Sequence, residues 1–562
     1  MPFLRIALAQ LNVTVGDLEG NQRLIEEAIG QAQAWLADLV VVPELAVTGY
    51  PPEDLLLKPQ FVDQNLRALA RLRPLTRNLV ALVGHVDRDR QGRLYNATAV
   101  LADGRQVTSY RKRFLPNYGV FDEKRYFAPG EANLLLDIGG IRIGVTICED
   151  LWEPRPCREL AAAGAQAVVN LSASPYHAGK LGTRRQLFSE RARRHHLAIA
   201  HCNLVGGQDE LVFDGASLGL DARGRLLVRG RQFRSDLVLV DLPVPVARPI
   251  RRLRAETVHI PHTVRERPKL PQPSRPALGK VEEVYEALTL GLRDYVRKNN
   301  FATVVLGVSG GVDSALTACL AVDALGPEQV KGVVMPSRFS STETQDDARQ
   351  LARALEIELH ELSIEPVFRA YLETLEPLFD GQPPDVTEQN IQARIRGNFL
   401  MALSNKFGWL VLTTGNKSEL ATGYTTLYGD MAGGFAVIRD VPKTLVYQLA
   451  RFRNQREPEP PIPQSVLERA PTAELAADQK DQDTLPPYDA LDRILKSYVE
   501  EDRSLRQILQ TNRVDARIVK RVLHMVDRSE YKRRQGPPGI KITPRAFGKD
   551  RRMPITNRYQ QL

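Results

Sequence analysis

The chain has 562 residues, of which 43% are hydrophobic and 25% charged, a composition typical of globular domains. Its length exceeds what one hydrophobic core organises, so we expect two domains of roughly 250 residues. No run of about 18 apolar residues occurs, which excludes a membrane-spanning helix, and four scattered cysteines indicate neither a disulfide framework nor a zinc site. The N-terminal MPFLRIALAQLN is typical of a strand rather than a secretory signal, so we expect a cytoplasmic protein.

The net charge of +9 is concentrated in two segments. Residues 245–280 and 530–562 each hold nine Lys or Arg against two acidic residues, so the remaining chain is slightly acidic. This distribution is typical of a solvated basic linker and tail, or of segments that meet an anionic small ligand or a partner subunit. Because aromatic residues are not interleaved with the basic ones, we expect no nucleic-acid partner.

Residues 1–244 alternate between strand-like and helix-like patterns. The strand-like runs include LRIALAQL, DLVVVPEL, LVALVGHV, IRIGVTIC, AQAVVNLS, LAIAHCNLV and LVLVDLPV, and helical patterns include NQRLIEEAIGQAQAWLA and QLFSERARRHH. The alternation predicts a layered α/β domain. Residues 245–280 are rich in Pro and Arg and lose hydrophobic periodicity, which predicts a linker or a strap lying across another domain.

Residues 281–562 begin a second α/β pattern. Strand–loop–helix units recur at TVVLGVSGG, VKGVVMPS and GWLVLTTGN, each flanked by amphipathic segments. The repetition predicts a doubly wound parallel sheet with ligands at the carboxyl ends of its strands. Residues 457–489 break the pattern with many prolines, and we expect a long surface loop there.

Three polar residues of the first half each follow an apolar run and precede a turn: Glu44, Lys112 and Cys148. Strand ends in α/β layers are where reactive side chains converge. A Cys thiolate that attacks a carboxamide, a Glu base and a Lys that stabilises the oxyanion would together hydrolyse an amide. Residue types alone leave open a buried structural cysteine and two solvated charges.

The surrounding motifs resemble a known family. VVPELAVTGYPPEDLL, YRKRFLPNYGVFDEKRYF and IGVTICEDLW resemble the Glu, Lys and Cys boxes of the nitrilase (carbon–nitrogen hydrolase) superfamily, and NLSASPYHAGK resembles a box of its glutaminase branch. The resemblance implies an αββα sandwich and a Glu44–Lys112–Cys148 triad. It also suggests a set of glutamine-binding residues with Glu123 as an assisting carboxylate beside the triad: Tyr118, Ser174, Lys180 and Glu123.

In the second half, LGVSGGVDSALTA joins a predicted strand to a predicted helix. Its small residues let backbone N–H groups approach an oxyanion at the helix N-terminus. The Walker Lys is absent, which disfavours γ-phosphate transfer. The loop resembles the PP-loop of N-type ATP pyrophosphatases, which form adenylates. That resemblance implies an ATP-binding loop, which comprises Ser309, Gly310, Gly311, Val312, Asp313 and Ser314. Asp313 would help to hold Mg²⁺.

Further motifs resemble NAD synthetases: NIQARIR, LVLTTGNKSELATGYTTLYGDMAGGFAVIRDVPKT and SEYKRRQGPPG. The resemblance implies that Met335 flanks the adenine, that Thr414 contacts ATP and that Lys443 contacts pyrophosphate. It places Asn390, Glu419 and Lys532 at the deamido-NAD⁺ site, with Glu419 a second candidate for the Mg²⁺ ion.

Both halves together resemble the family of glutamine-dependent NAD⁺ synthetases. This implies a carbon–nitrogen ligase that takes ammonia from glutamine and adenylates deamido-NAD⁺ with ATP. It further implies an enclosed path for ammonia and a homo-oligomer, in which we expect the Arg-rich segment to pack between subunits. Three alternatives remain: a PP-loop amidotransferase with another acceptor, an RNA-modifying PP-loop protein, and a nitrilase-type hydrolase whose second domain only senses nucleotide.

Overall fold

The structure is a computed structural model that describes residues 2–246, 255–261, 266–270, 274–472, 474–476, 479–511 and 513–559. The chain divides into two compact units, Met1–Leu278 and Gly279–Leu562. Within the described ranges, no helix is both long enough and apolar enough to cross a membrane.

Among its described residues, the first unit contains two large sheets, a small hairpin and five α-helices. Its strands are β1 (Phe3–Gln10), β2 (Leu39–Val41), β3 (Val80–Arg88), β4 (Leu94–Ala102), β5 (Arg105–Arg111), β6 (Asn133–Ile138), β7 (Ile141–Ile147), β8 (Ala167–Ser172), β9 (Ala198–Asn203), β10 (Val205–Gln208), β11 (Leu211–Asp214), β12 (Leu218–Leu220), β13 (Leu226–Arg229), β14 (Asp236–Pro243) and β15 (Ala255–Ile260). Its helices are α1 (Leu18–Ala34), α2 (Pro59–Leu72), α3 (Glu149–Trp152), α4 (Pro154–Ala162) and α5 (Lys180–His195).

The six-stranded sheet has the order β14-β1-β2-β3-β4-β5, and the seven-stranded sheet has the order β13-β12-β9-β8-β7-β6-β15. The alternation in β1 explains how they pack. Leu4, Ile6 and Leu8 face the core between the two sheets, whereas Ala7 and Ala9 face the core shared with α1 and α2. A third core lies between the seven-stranded sheet and α4 and α5. The layers are therefore helix, sheet, sheet, helix, and the predicted αββα sandwich is confirmed.

Part of the Pro- and Arg-rich segment lies along the first unit. Strand β15 pairs in parallel with β6 at the edge of the seven-stranded sheet, and Arg267 forms two hydrogen bonds with Asp38, of 2.6 and 2.8 Å. The described parts of this segment therefore pack against the first unit, as a strap would and a free linker would not. The expected packing of residues 245–280 between subunits stays a prediction, and residues 247–254, 262–265 and 271–273 of this segment lie outside the described residues.

The second unit contains one five-stranded sheet and twelve α-helices among its described residues. Its strands are β16 (Val304–Gly307), β17 (Val330–Val334), β18 (Glu358–Glu361), β19 (Leu410–Thr413) and β20 (Phe435–Ala436). Its helices are α6 (Lys280–Lys298), α7 (Val312–Leu325), α8 (Thr342–Ala354), α9 (Glu365–Phe379), α10 (Val386–Phe407), α11 (Lys417–Thr422), α12 (Lys443–Asn454), α13 (Gln464–Glu468), α14 (Tyr488–Leu495), α15 (Leu505–Thr511), α16 (Ala516–Arg528) and α17 (Glu530–Arg533).

The five strands are all parallel and have the order β18-β17-β16-β19-β20. The chain moves outward from β16 to β18 and then returns to the other side of β16 at β19. This reversal opens a crevice beyond the carboxyl ends of β16 and β19, where ligands bind in such sheets. The predicted doubly wound parallel sheet is confirmed.

The prediction of a long surface loop at residues 457–489 is wrong in part. The segment contains the short helix α13, and several of its residues line a cavity beside the sheet, among them Arg469, Thr472 and Asp481. Pro-rich sequence predicts irregular backbone, but it does not say which surface that backbone covers.

Candidate active sites

The first candidate site forms at the ends of strands from both sheets of the first unit. Glu44 lies in the turn after β2, Lys112 directly follows β5, and Cys148 directly follows β7. The turn that carries Glu44 lies against β3 at Gly84, where a Cβ atom would come within 2.2 Å of the Pro43 carbonyl oxygen. A glycine is required there because the backbones approach closely.

The ammonium group of Lys112 joins two carboxylates. Its Nζ donates to Glu44 Oε1 at 2.7 Å and to Glu123 Oε1 at 2.8 Å, and all three side chains are buried. Glu44 also accepts from Asn96 Nδ2 at 2.7 Å and from the Ala173 backbone N–H at 2.9 Å. A buried charge pair of this kind persists because every member is hydrogen-bonded. The structure thus brings Glu44, Lys112 and Glu123 together as the sequence predicted.

Cys148 has a strained backbone, with φ 41° and ψ −99°, values that a non-glycine residue adopts only when its surroundings enforce them. Its N–H donates to the Leu171 carbonyl at 2.7 Å, which holds the turn against β8. Burial raises the pKa of the Cys148 thiol well above its usual range, and the charge of Glu44 raises it further while Lys112 opposes both. The resting thiol is therefore neutral, and it needs a base during attack.

Two charged groups of this site, Glu123 and Lys112, also have shifted pKa values. Burial raises the pKa of Glu123 to about 7 despite the opposing charge of Lys112, and Glu44 adds to the rise. Burial alone would lower the pKa of Lys112, but the charges of Glu123 and Glu44 raise it well above normal. Lys112 is therefore cationic throughout the physiological range, as a group that stabilises an oxyanion must be.

The predicted glutamine-binding residues form hydrogen bonds within the first unit, and Tyr118 contacts the residue directly after Cys148. Tyr118 is 59% exposed, and its hydroxyl donates to both carboxylate oxygens of Glu149 at 3.1 Å. The Ser174 N–H donates to Asn203 Oδ1 at 3.0 Å, and Lys180 Nζ donates to the Pro175 carbonyl at 2.6 Å. Sequence reasoning missed Glu149, although its position next to Cys148 in the ICEDLW motif was a usable signal.

The second candidate site begins at the loop between β16 and α7. Gly310 has φ +78°, and a Cβ atom there would lie 2.1 Å from the Thr344 carbonyl oxygen, so only glycine fits. The two serines brace the loop, because Ser314 Oγ accepts from the Ser309 N–H at 3.2 Å and donates to the Gly311 carbonyl at 2.9 Å. Gly311 precedes helix α7 and has no side chain that could cap it. The first backbone N–H groups of α7 can therefore bind an anion.

Two carboxylates converge on one lysine beside this loop. Lys443 Nζ contacts Asp313 Oδ2 and lies 3.4 Å from Glu419 Oε1. Asn416 Nδ2 donates to Asp313 Oδ1 at 2.9 Å, and Asn416 Oδ1 accepts from the Glu419 N–H at 3.1 Å. Burial raises the pKa of Glu419 to about 8, against the charge of Lys443 and with that of Asp313. Glu419 is therefore largely protonated at neutral pH, and a further cation beside it would favour its ionised form.

This arrangement fits a Mg²⁺ ion. Over the described part of the chain, no group of three or more His, Cys, Asp or Glu side chains could hold a metal ion. Mg²⁺ is, however, usually bound by one or two carboxylates together with substrate phosphates and water. Asp313 and Glu419 supply such a pair beside the phosphate loop.

A cavity of about 470 Å³ collects every nucleotide-site residue that the sequence predicted. Met335 and Thr414 lie on its wall after β17 and β19. Asn390 Oδ1 accepts from Thr426 Oγ1 at 2.7 Å. Lys532 Nζ donates to the carbonyls of Gly423 and Thr425 at 2.8 and 2.7 Å, and burial lowers the pKa of Lys532.

Sequence reasoning missed other residues of the same wall. Arg396 lines the cavity, its Nε donates to the Met335 carbonyl at 3.0 Å, and burial lowers its pKa to about 10. On α10 the cavity residues Asn390, Ala393 and Gly397 recur at helical spacing with Arg396. That periodicity within the NIQARIR motif was the signal that could have identified it.

Comparisons with known proteins match both halves of the chain. The family described as carbon-nitrogen hydrolase matches residues 5–252, and the family described as NAD synthase matches residues 284–536. The glutamine-dependent NAD(+) synthetase of Thermotoga maritima is 50% identical, with 100% of both chains covered. That of Acinetobacter baylyi is 43% identical, covering 100% of this chain and 99% of its own.

Two solved structures extend over the same length. That of glutamine-dependent NAD⁺ synthetase from Acinetobacter baumannii in complex with ADP is 41% identical, covers 99% of both chains and has a TM-score of 0.77. That of the Cytophaga hutchinsonii enzyme is 24% identical, covers 99% of this chain and 98% of its own, and has a TM-score of 0.82, which supports the fold alone. The full-length matches and the two families show that the chain belongs to the glutamine-dependent NAD⁺ synthetases, which are amide-forming ligases with ATP as co-substrate.

Proposed function

We propose that the chain forms NAD⁺ from deamido-NAD⁺, ATP and glutamine, releasing glutamate, AMP and pyrophosphate. The observation that carries this proposal is the single cavity that collects the phosphate loop, both carboxylates, Asn390 and Lys532. These groups are scattered between residues 309 and 532, and their convergence in one cavity supports a site for a nucleotide that carries phosphate and carboxylate groups.

In the first unit, Glu44 takes the proton of the Cys148 thiol as the sulfur attacks the glutamine carboxamide. Lys112 stabilises the negative charge that develops on the carboxamide oxygen. Collapse of the tetrahedral intermediate breaks the carbon–nitrogen bond as Glu44 returns its proton to the leaving nitrogen, which releases ammonia and leaves a γ-glutamyl thioester. Glu44 then takes a proton from water, and hydrolysis of the thioester releases glutamate and restores the thiol.

We propose that Tyr118, Ser174 and Lys180 bind the glutamine substrate. Tyr118 and Lys180 are suited to its amino-acid end, and the backbone around Ser174, tied to Asn203, to its amide end. Glu123 assists by holding the ammonium group of Lys112 beside Glu44. Lys112 Nζ donates one hydrogen bond to each carboxylate, so the ammonium group lies between them.

In the second unit, the nicotinic-acid carboxylate of deamido-NAD⁺ attacks the α-phosphorus of ATP, and pyrophosphate leaves. Ammonia then displaces AMP from the adenylate and gives the amide. The loop from Ser309 to Ser314 and Lys443 hold the phosphates, Thr414 and Met335 contact the nucleoside, and Asn390, Glu419 and Lys532 bind the dinucleotide. Asp313 and Glu419 would hold Mg²⁺, which neutralises phosphate charge when it is bound.

We also propose a homo-oligomer, for which α9 gives support. Tyr371 and Leu378 on this helix are 46% and 80% exposed, and Phe407 at the end of α10 is 56% exposed. Exposed apolar side chains that form a contiguous patch mark surfaces that another protein covers, and α9 and α10 pack against each other. Sedimentation as a single monomeric species at micromolar concentration would contradict the proposal. A cytoplasmic location and an enclosed path for ammonia stay predictions from the sequence.

The test measures NAD⁺ formation from deamido-NAD⁺, ATP and Mg²⁺, with either glutamine or ammonium as nitrogen source. Cys148→Ala should abolish glutamine-supported synthesis and keep ammonium-supported synthesis, while Asp313→Ala should abolish both. Cys157→Ala, at another buried cysteine of the first unit, is the matched control and should keep both. Glutamine-supported synthesis by Cys148→Ala would refute the assigned nucleophile, and survival of either activity in Asp313→Ala would refute its role.

A further inference from the structure

Asp150 lies two residues after Cys148, in the helical turn α3, and its side chain is completely buried. It has none of the roles described above. Its carboxylate accepts four hydrogen bonds, and no cation lies at salt-bridge distance from it in the described chain. These four hydrogen bonds therefore stabilise the buried carboxylate. A buried carboxylate is costly unless such bonds replace its water.

The four bonds come from the two segments that carry Lys112 and Cys148. Asp150 Oδ1 accepts from the backbone N–H groups of Arg113 at 3.1 Å and Phe114 at 2.9 Å, the two residues directly after Lys112. Asp150 Oδ2 accepts from the Ile147 N–H at 3.0 Å, the residue directly before Cys148. Oδ2 also accepts from the Tyr110 hydroxyl at 2.8 Å, two residues before Lys112.

These segments follow strands of different sheets. The Lys112 N–H donates to the Asn96 carbonyl of β4, in the six-stranded sheet, whereas the Cys148 N–H donates to the Leu171 carbonyl of β8, in the seven-stranded sheet. A shift between the sheets would therefore change the distance from the Lys112 ammonium to the Cys148 sulfur. One short carboxylate that bonds to both segments opposes such a shift, because its two oxygens are rigidly joined.

We propose that Asp150 is a positioning residue for the glutaminase reaction, which holds the Lys112 segment in register with the Cys148 turn. The proposal rests on the proposed glutaminase function of the first unit. Asp150 touches neither the substrate nor the reacting atoms in this role. It acts through the placement of Lys112, whose charge favours the thiolate form of Cys148 and the oxyanion that follows.

Asp150→Asn keeps the size of the side chain and changes its hydrogen bonding. An amide has one acceptor oxygen and one NH₂ donor, so it cannot accept from both the Arg113/Phe114 pair and Ile147. Whichever way it turns, at least one backbone N–H meets another donor, and the two segments lose their common acceptor. Tyr110→Phe removes one of the four bonds and keeps the three backbone bonds.

Three rates are measured for full-length protein: glutamine-supported synthesis, ammonium-supported synthesis, and alkylation of Cys148 by iodoacetamide as a function of pH, with Cys148→Ala as background. In Asp150→Asn, kcat with glutamine should fall about 100-fold, since displacement of a catalytic group by about 1 Å costs that much. KM for glutamine and the ammonium-supported rate should change less than about threefold. The alkylation profile should move to higher pH, because Lys112 no longer favours the thiolate as strongly. In Tyr110→Phe, kcat with glutamine should fall less than about tenfold.

The matched control is Asp221→Asn. Asp221 also accepts two backbone N–H bonds, from Arg223 and Arg225, both at 2.9 Å, in a turn after β12, and its variant should behave as wild type. An unchanged kcat and alkylation profile in Asp150→Asn would overturn the proposal. So would equal losses with glutamine and ammonium, or a loss in Asp221→Asn that matches that of Asp150→Asn. Wild-type protein without glutamine-supported synthesis would instead contradict the proposed function itself.

Discussion

The buried ion pair of Arg184 and Asp214 offers a quantitative test of how the glutamine site is supported. Their side chains are 0% and 1% exposed, and the guanidinium nitrogens lie 2.9 and 3.2 Å from the carboxylate oxygens. Asp214 Oδ1 also accepts from Asn203 Nδ2 at 3.1 Å, and Asn203 Oδ1 accepts from the Ser174 N–H at 3.0 Å. The pair therefore ends a chain of contacts that reaches a predicted glutamine-binding residue.

Arg184→Met leaves the Asp214 carboxylate buried without its cation. Removal of one partner from a fully buried pair costs about 3–5 kcal/mol of unfolding free energy, because the remaining charge loses its compensation. For a unit of this size, each kcal/mol lowers the midpoint of thermal unfolding by about 2–4 °C. We therefore expect a fall of roughly 6–20 °C. The double variant Arg184→Met/Asp214→Asn, which leaves no unpaired charge, should recover at least half of this loss.

The assay is calorimetric unfolding of the full chain, together with KM for glutamine and for ammonium. Arg225→Met is the matched control. Arg225 Nε lies 2.7 Å from Asp221 Oδ2, a similar distance, but the Arg225 side chain is 71% exposed. An exposed pair contributes only about 0–1 kcal/mol to the unfolding free energy. KM for glutamine should rise in Arg184→Met and that for ammonium should not. Equal midpoints for Arg184→Met and Arg225→Met would refute the reasoning, as would a double variant destabilised by the sum of its two single changes.

Two further predictions concern single groups. Gly310→Ala should abolish NAD⁺ formation from both nitrogen sources while glutamine hydrolysis continues, because a Cβ atom would lie 2.1 Å from the Thr344 carbonyl oxygen. Retained ATP-dependent activity would contradict the tight loop. Glutamine hydrolysis should increase as the pH rises through about 7, since burial raises the pKa of Glu123 to that value and its ionised form makes Glu44 the stronger base. In Glu123→Gln this rise should disappear. Because the folded pKa of Glu123 exceeds the ordinary value of 4.5 for a glutamate, wild type should also lose stability relative to Glu123→Gln as the pH rises from about 4.5 to 7.

Most of the fold could be predicted because each strong motif follows an apolar strand. The strands that precede Glu44, Cys148 and Ser309 all exist, and the fold class of both units is confirmed. Strand β15 was not predicted, because its sequence AETVHI lies among prolines and arginines, and only pairing with β6 selects the extended form. Residues 457–489 were predicted as surface loop because Pro-rich sequence carries no sign of the surface it covers.

The family and its reaction were accessible from the sequence, because the chemistry-bearing motifs are short, contiguous and ordered along the chain. Residue types within one motif constrain a local turn, so the Glu, Lys and Cys boxes and the phosphate loop are readable without coordinates. Which motifs meet is a different matter, since contact between distant segments depends on sheet order and packing. Only the tertiary structure shows that one Lys112 ammonium bonds to both Glu44 and Glu123, and that Asp150 bonds to segments following strands of two sheets. The contacts of Lys112 with Glu44 and of Asp150 with Arg113 join distant segments, and their formation depends on how the two sheets pack.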